Sequence, residues 1–178
     1  MNTVLVGSGN VAESLAVAIS ECPQLHLVQI CARNRDRGKL LAERCGAEYV
    51  QHPEDVVDAE IYVVAVSDGA VSEIASRLRV PHASTVVHTS GGMGIEALAC
   101  ASENRGVFYP LQTFTVGRTV DFRKTPVFIE YSNPQAGRAV RNFAAALSDD
   151  VYEADSVRRC RLHVAAVFAC NFTNHLYV

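Results

Sequence analysis

The sequence predicts an α/β protein: a doubly wound, mostly parallel sheet followed by the start of an α-helical domain. Strand-like runs alternate with helical stretches of about ten residues, the pattern that parallel crossovers require. The most apolar run, Ile61-Tyr-Val-Val-Ala-Val66, shows no polar alternation, so both of its faces are expected to be buried. A glycine-bearing turn, Gly7-Ser8-Gly9, stands between the first strand and the first helix.

The elements follow in order. Thr3 to Gly7 is a short β-branched strand, and Asn10 to Glu21 is a helix through Val11, Leu15, Ala18 and Ile19, closed by Pro23. Leu25 to Cys31 is the second strand, Arg35 to Cys45 the second helix with Gly46 as its stop, and Ala47 to Val50 a short third strand. Glu54 to Ala59 is a brief helix or turn before the Ile61 strand. Ser67-Asp68 opens a helix carrying Val71, Ile74, Ala75 and Leu78, Thr85 to His88 is a strand, and Ile95 to Ala101 a short helix. Val107 to Tyr109, Val127 to Glu130 and Val151-Tyr152 complete the strands, with a helix over Pro134 to Leu147 whose stripe is Ala139, Phe143, Ala146 and Leu147. Residues 1–153 are expected to form the sheet domain. Residues 154–178 read as the first helix of a truncated C-terminal helical domain, because the apolar helical pattern runs to the last residue.

Composition limits the function. A hydrophobic content of 49% over 178 residues supplies the core of a full-sized domain. Sixteen basic against nineteen acidic side chains leave a net charge of -3, too small to make nucleic acid or an anionic membrane the expected partner. The cysteines at 22, 31, 45, 100, 160 and 170 form no CxxC pair and follow no signal segment, which reads as reduced thiols in the cytoplasm. No apolar run approaches the roughly 20 residues that span a bilayer. A metal is not expected, since Cys160 and His163 lie one helical turn apart with no second such pair to close a site.

Gly7-Ser8-Gly9-Asn10-Val11-Ala12 matches the G-x-G-x-x-G/A fingerprint in the context it demands, after a strand and opening a helix. Gly7 permits the tight turn, Gly9 lets the backbone approach a pyrophosphate, and Ala12 allows close helix packing, while the helix N-terminus offers N–H groups to the anion. In an NAD enzyme a carboxylate at the end of the second strand holds the ribose. Here that place reads Cys31-Ala32-Arg33-Asn34-Arg35, so Arg33 and Arg35 are expected to grip a 2'-phosphate, favouring NADP (NADPH). Asn34, Val66 and Ser67 complete the expected cofactor contacts.

Ligands of open α/β sheets bind beyond the carboxyl ends of the strands. Ser67-Asp68, His88-Thr-Ser-Gly-Gly92 and Tyr109-Pro-Leu-Gln-Thr-Phe114 occupy those positions. Together with Val-Gly-Ser-Gly-Asn-Val-Ala at the start and Leu162-His-Val-Ala-Ala-Val-Phe-Ala-Cys-Asn-Phe-Thr-Asn-His-Leu-Tyr177 at the end, they resemble the Rossmann-like NADP oxidoreductase family that carries a C-terminal domain of unknown function. That family is similar to pyrroline-5-carboxylate reductase, the NADP:deazaflavin oxidoreductases and, more remotely, ketopantoate reductase. The resemblance implies a helical domain that builds a homodimer and completes the pocket. Many relatives carry His before the Pro-Leu-Gln-Thr-Phe string, where this chain has Tyr109. As an acid, Tyr109, with an ordinary pKa of about 10, needs a neighbouring cation.

Reduction of a C=O or C=N bond requires a proton donor near the developing charge and polar groups to orient the acceptor. His88 and Tyr109 are the candidate donors. Ser90, Gln112, Thr113, Asn171 and Asn174 are the candidate substrate contacts, with His163, Val167, Cys170 and Asn174 on one stripe of the last helix. The leading expectation is an NADP-dependent oxidoreductase that transfers hydride to a small carbonyl or imine substrate. The alternative is a non-catalytic NADP-binding regulatory or sensor module, suggested by the absence of a catalytic lysine on the last helix, Lys39 and Lys124 lying elsewhere.

Overall fold

A computed structural model describes residues 1–115 and 120–172, with side chains through residue 169. The strands are β1 (Asn2–Val6), β2 (His26–Cys31), β3 (Glu48–Val50), β4 (Ile61–Val64), β5 (Thr85–His88), β6 (Arg105–Pro110), β7 (Val127–Tyr131) and β8 (Val151–Glu153). The helices are α1 (Asn10–Ser20), α2 (Arg35–Cys45), α3 (Asp68–Arg77), α4 (Pro134–Leu147) and α5 (Ser156–Ala166). All eight strands form one sheet in the order β3-β2-β1-β4-β5-β6-β7-β8. Every neighbouring pair is parallel except β6 and β7, which run antiparallel. The expected doubly wound α/β architecture is therefore present, with β7 and β8 turned against the other six strands.

Apolar strands without alternation follow from two covered faces. Along β1, Leu5 points into a core with α1, α2 and α4, whereas Val4 and Val6 point into a second core with α3. Along β4, Ile61 and Val63 join the first core and Tyr62 and Val64 the second, all fully buried. Each such aliphatic side chain contributes about 1.5–3 kcal/mol on burial.

Local signals set the helix ends. Asn34 accepts a hydrogen bond from the Arg37 N–H at the start of α2, and Gly46 ends that helix in the left-handed conformation at φ 67°. Asn133 caps α4 ahead of Pro134, and Asp155 caps α5 by accepting from the Arg158 N–H. The Ile95 segment, expected as a short helix, is a 3-10 turn over Ile95–Leu98, and α5 passes into π-helical winding over Val167–Phe172.

Strand order places the site. β1 lies between β2 and β4, so the chain's crossovers diverge there and leave a crevice at the carboxyl ends of β1 and β4. Reversal at β7 has a second effect. α5 starts at the opposite edge of the sheet, beside Glu130, and climbs the face of β6 toward the crevice.

Candidate functional site

One groove of about 1310 Å³ runs along the carboxyl edge of the sheet and is lined from the β1 turn to α5. At its centre Gly7 has φ 133°, and a Cβ there would lie 2.2 Å from the Ala65 carbonyl oxygen. Only glycine fits that contact. Gly9 is extended, and a Cβ on it would meet nothing within 4 Å, leaving open space before the helix. No side chain caps α1, so its first-turn N–H groups are available to an anion. The Gly7-Ser8-Gly9-Asn10-Val11 turn thus fits the pyrophosphate of a dinucleotide. Asn10 instead uses its amide to donate to the Phe114 carbonyl (3.1 Å), tying the start of α1 to the segment after β6.

Beyond β2 the groove is lined by Arg33, Asn34 and Arg37. Arg35, expected as the second cation, does not line it, whereas Arg37 does. The reason is helical geometry: a residue at the first position of α2 points away from the strand end that Arg33 occupies, and Arg37 returns toward it half a turn later. Arg77 lines the same end but is held by Glu54 (2.8 Å) and Glu73 (3.7 Å). Beneath them Cys31 is buried, which pushes its thiol up to about 11 and keeps it a neutral wall. Val66 and Ser67 line the groove after β4.

Tyr109, Leu111, Gln112, Thr113, Phe114, His163, Ala166 and Val167 line the other end. The Tyr109 hydroxyl is hydrogen-bonded to Nδ1 of His163 at 2.9 Å, and the two rings meet edge-on with centroids 5.7 Å apart. Burial raises the Tyr109 pKa and the Arg159 guanidinium opposes it, so the phenol keeps its proton near neutral pH. Gly91 makes the pairing possible, because a Cβ there would come within 2.6 Å of the His163 ring and 2.7 Å of the Tyr109 ring. Gln112 accepts from the Thr113 N–H (2.9 Å), which shapes this end of the loop.

Two expected residues sit elsewhere. His88 has no exposed surface and does not line the groove. Its Nδ1 accepts from the Ser90 N–H (3.2 Å), which leaves Nε2–H to donate to the Gly94 carbonyl (3.3 Å). Burial, reinforced by nearby Arg159, lowers its pKa to about 4. With both ring nitrogens engaged and the charged form disfavoured, His88 organises the loop after β5 and is not placed to donate a proton to a ligand. The Ser90 hydroxyl accepts from the Gly92 and Met93 N–H groups (3.1 and 3.0 Å), so it builds the same turn and does not line the groove. The side chain of Asn171, and all of Asn174, lie outside the described residues.

Sequence reasoning missed His163 as a partner of Tyr109, and Arg37. His163 was visible as a polar member of an apolar stripe, but its pairing depends on the path of α5 across β6, which no local pattern encodes. Among the described residues there is no group of three or more His, Cys, Asp or Glu that could hold a metal, and no helix is long and apolar enough to cross a membrane.

The comparisons agree with this geometry. Residues 3–92, half of the chain, match the family model described as NADP oxidoreductase, coenzyme F420-dependent, and residues 125–178 match a domain of unknown function, DUF2520. A solved structure of BF3122 from Bacteroides fragilis, assigned as an NADP oxidoreductase, is 37% identical over 99% of this chain and 69% of its own, with a TM-score of 0.92. Protein TM1727 from Thermotoga maritima is 23% identical over 98% of this chain and 65% of its own, with a TM-score of 0.75. The 1-pyrroline-5-carboxylate reductase of Streptococcus pyogenes shares the fold at 14% identity and a TM-score of 0.66, over 87% of this chain and 58% of its own. The chain thus spans about two thirds of the length of these solved relatives. Comparison with curated proteins yields no match. The glycine turn, the sheet order and the likeness to BF3122 converge: this chain belongs to the coenzyme F420-dependent NADP oxidoreductase family.

Proposed function

We propose that the protein is an NADP-dependent oxidoreductase that reduces a small carbonyl or imine acceptor, with Tyr109 as proton donor and His163 behind it. The observation that carries this reading is the 2.9 Å Tyr109–His163 contact in the same groove as the glycine turn. When bound, the dinucleotide supplies the hydride. The backbone of Gly7 to Val11 would hold its pyrophosphate, and Val66 and Ser67 would flank its path toward the acceptor end.

Arg33 and Arg37 would grip a 2'-phosphate, since both line the groove beyond β2 and the carboxylate that lines it nearby, Glu73, is paired with Arg77. Tyr109 holds its proton until the acceptor develops negative charge and then passes it to the acceptor, while His163, in the tautomer with Nδ1–H, donates to the phenol oxygen and stabilises the phenolate left behind. Gln112 and Thr113 would orient the acceptor at the groove wall. A paired phenol and imidazole in the groove favour chemistry over a purely regulatory role.

Residues 154–178 would begin a helical domain that forms a homodimer. Val157 and Val164 on α5 and Val167 just beyond it are 61%, 47% and 38% exposed, a stripe suited to burial against a second copy. Calorimetric titration with NADPH and NADH tests the cofactor assignment, with tighter NADPH binding expected. Equal affinity for both would overturn the NADP preference, and sedimentation of the protein as a monomer at micromolar concentration would overturn the dimer.

A further inference from the structure

We propose that Arg159 and Glu130 form a positioning pair that sets both the location of His163 and the charge felt by Tyr109, resting on the reading of Tyr109 as proton donor. Arg159 is fully buried, a costly place for a guanidinium without a structural return. It is paired with Glu130 on β7 and donates to the Met93 carbonyl in the loop after β5. Ser156, at the start of α5, donates its hydroxyl to the same Glu130 carboxylate (2.8 Å) and accepts from the Ile95 N–H (3.3 Å). The foot of α5 is thereby fixed to two separate elements.

The spacing explains why this fixes His163. Glu130 lies opposite Val107 in the β6–β7 register, and Tyr109 stands two residues further along β6 on the same face. One turn of helix from Arg159 to His163 advances roughly 6 Å, and two residues of strand advance roughly 6.7 Å. Anchoring Arg159 at the Glu130 level therefore delivers His163 at the Tyr109 level. His88 occupies the same row, opposite Val107 on β5. The charged and titratable groups around Tyr109 are His163 and Arg159 on α5, Glu130 on β7, His88 on β5 and Asp68 at the start of α3, whose carboxylate lies 3.5 Å from a Cβ built on Gly92. Among these, Arg159 is the fixed cation, and its guanidinium favours the phenolate that forms when Tyr109 gives up its proton.

The two partners should move the phenol in opposite directions, which loss of packing alone would not do. Carbon-13 NMR of protein labelled at tyrosine Cζ, with the Tyr109 signal identified by its loss in Y109F, follows that titration without any substrate. R159M is expected to delay Tyr109 ionisation by about one pH unit, and E130Q, which leaves Arg159 less neutralised, to advance it by a comparable amount. R159K should restore most of the wild-type titration. NADPH affinity should stay within about twofold in all three, because neither residue lines the groove, while turnover of NADPH with 1-pyrroline as acceptor should fall about tenfold or more in R159M. Should R159M not fold, E130Q alone decides, since an unshifted or delayed Tyr109 there overturns the proposal. Identical Tyr109 titration in wild type, R159M and E130Q also overturns it. Absence of turnover by the wild type would instead count against the proposed reaction and leave the titration to decide the pair.

Discussion

Tyr109 and His163, 54 residues apart in sequence, meet at 2.9 Å where the end of β6 passes the second turn of α5. A strand of the sheet and a helix that leaves it each supply one half of this hydrogen-bonded pair. That arrangement makes the pair sensitive to either partner alone.

Tyr109→Phe should lower kcat by about 10²–10⁴-fold while NADPH affinity changes little, since the aromatic ring remains and only the hydroxyl is lost. His163→Gln is expected to give a smaller loss. Steady-state assays alongside calorimetric NADPH titration check both, and full turnover by Tyr109→Phe would remove Tyr109 from the reaction.

Arg33→Ala and Arg37→Ala should each weaken NADPH binding by about tenfold or more, the scale of a charge-assisted hydrogen bond to phosphate at about 1.5–3 kcal/mol. NADH binding should be unaffected. Arg35→Ala serves as the control, because Arg35 lies off the groove, and equal losses in all three variants would point to a general charge effect.

The two glycines of the turn should fail differently. Gly7→Ala places a Cβ 2.2 Å from a backbone oxygen at φ 133°, so a lower melting temperature is expected, with strain of about 1–3 kcal/mol or more. Gly9→Ala meets no protein atom within 4 Å, so the fold should survive while NADPH binding is lost. Thermal unfolding with and without NADPH separates the two outcomes.

Much of this was legible in the sequence for a physical reason. Strands buried on both faces must be apolar throughout, as Ile61 to Val64 are, and a glycine with positive φ beside a parallel neighbour leaves the Gly7-Ser8-Gly9 signature. Side chains whose roles depend on tertiary register were not legible. His88 and Ser90 looked like site residues because polar groups at strand ends usually are, yet their hydrogen bonds close the turn that holds Gly91 against Tyr109 and His163. Arg37 was hidden behind Arg35 because the phase of α2 decides which of its arginines lines the groove.

His88 also sets an acid limit on stability. Its folded pKa of about 4 lies below the ordinary 6.5, so the unfolded chain binds more protons between those values. Its contribution is fully present above about pH 6.5 and is lost as pH falls toward 4, amounting to about 3 kcal/mol across that window. His88→Asn should flatten this part of the stability curve, measured by urea unfolding between pH 4 and 7. An unchanged slope would show that other groups govern it.

The Asn10 amide that grips the Phe114 carbonyl has a mechanical consequence. The seat for an anion and the wall for an acceptor share one tether, so a load on either end is transmitted to the other. A dinucleotide seated on the turn would thus bear on the far wall of the groove through a single side chain.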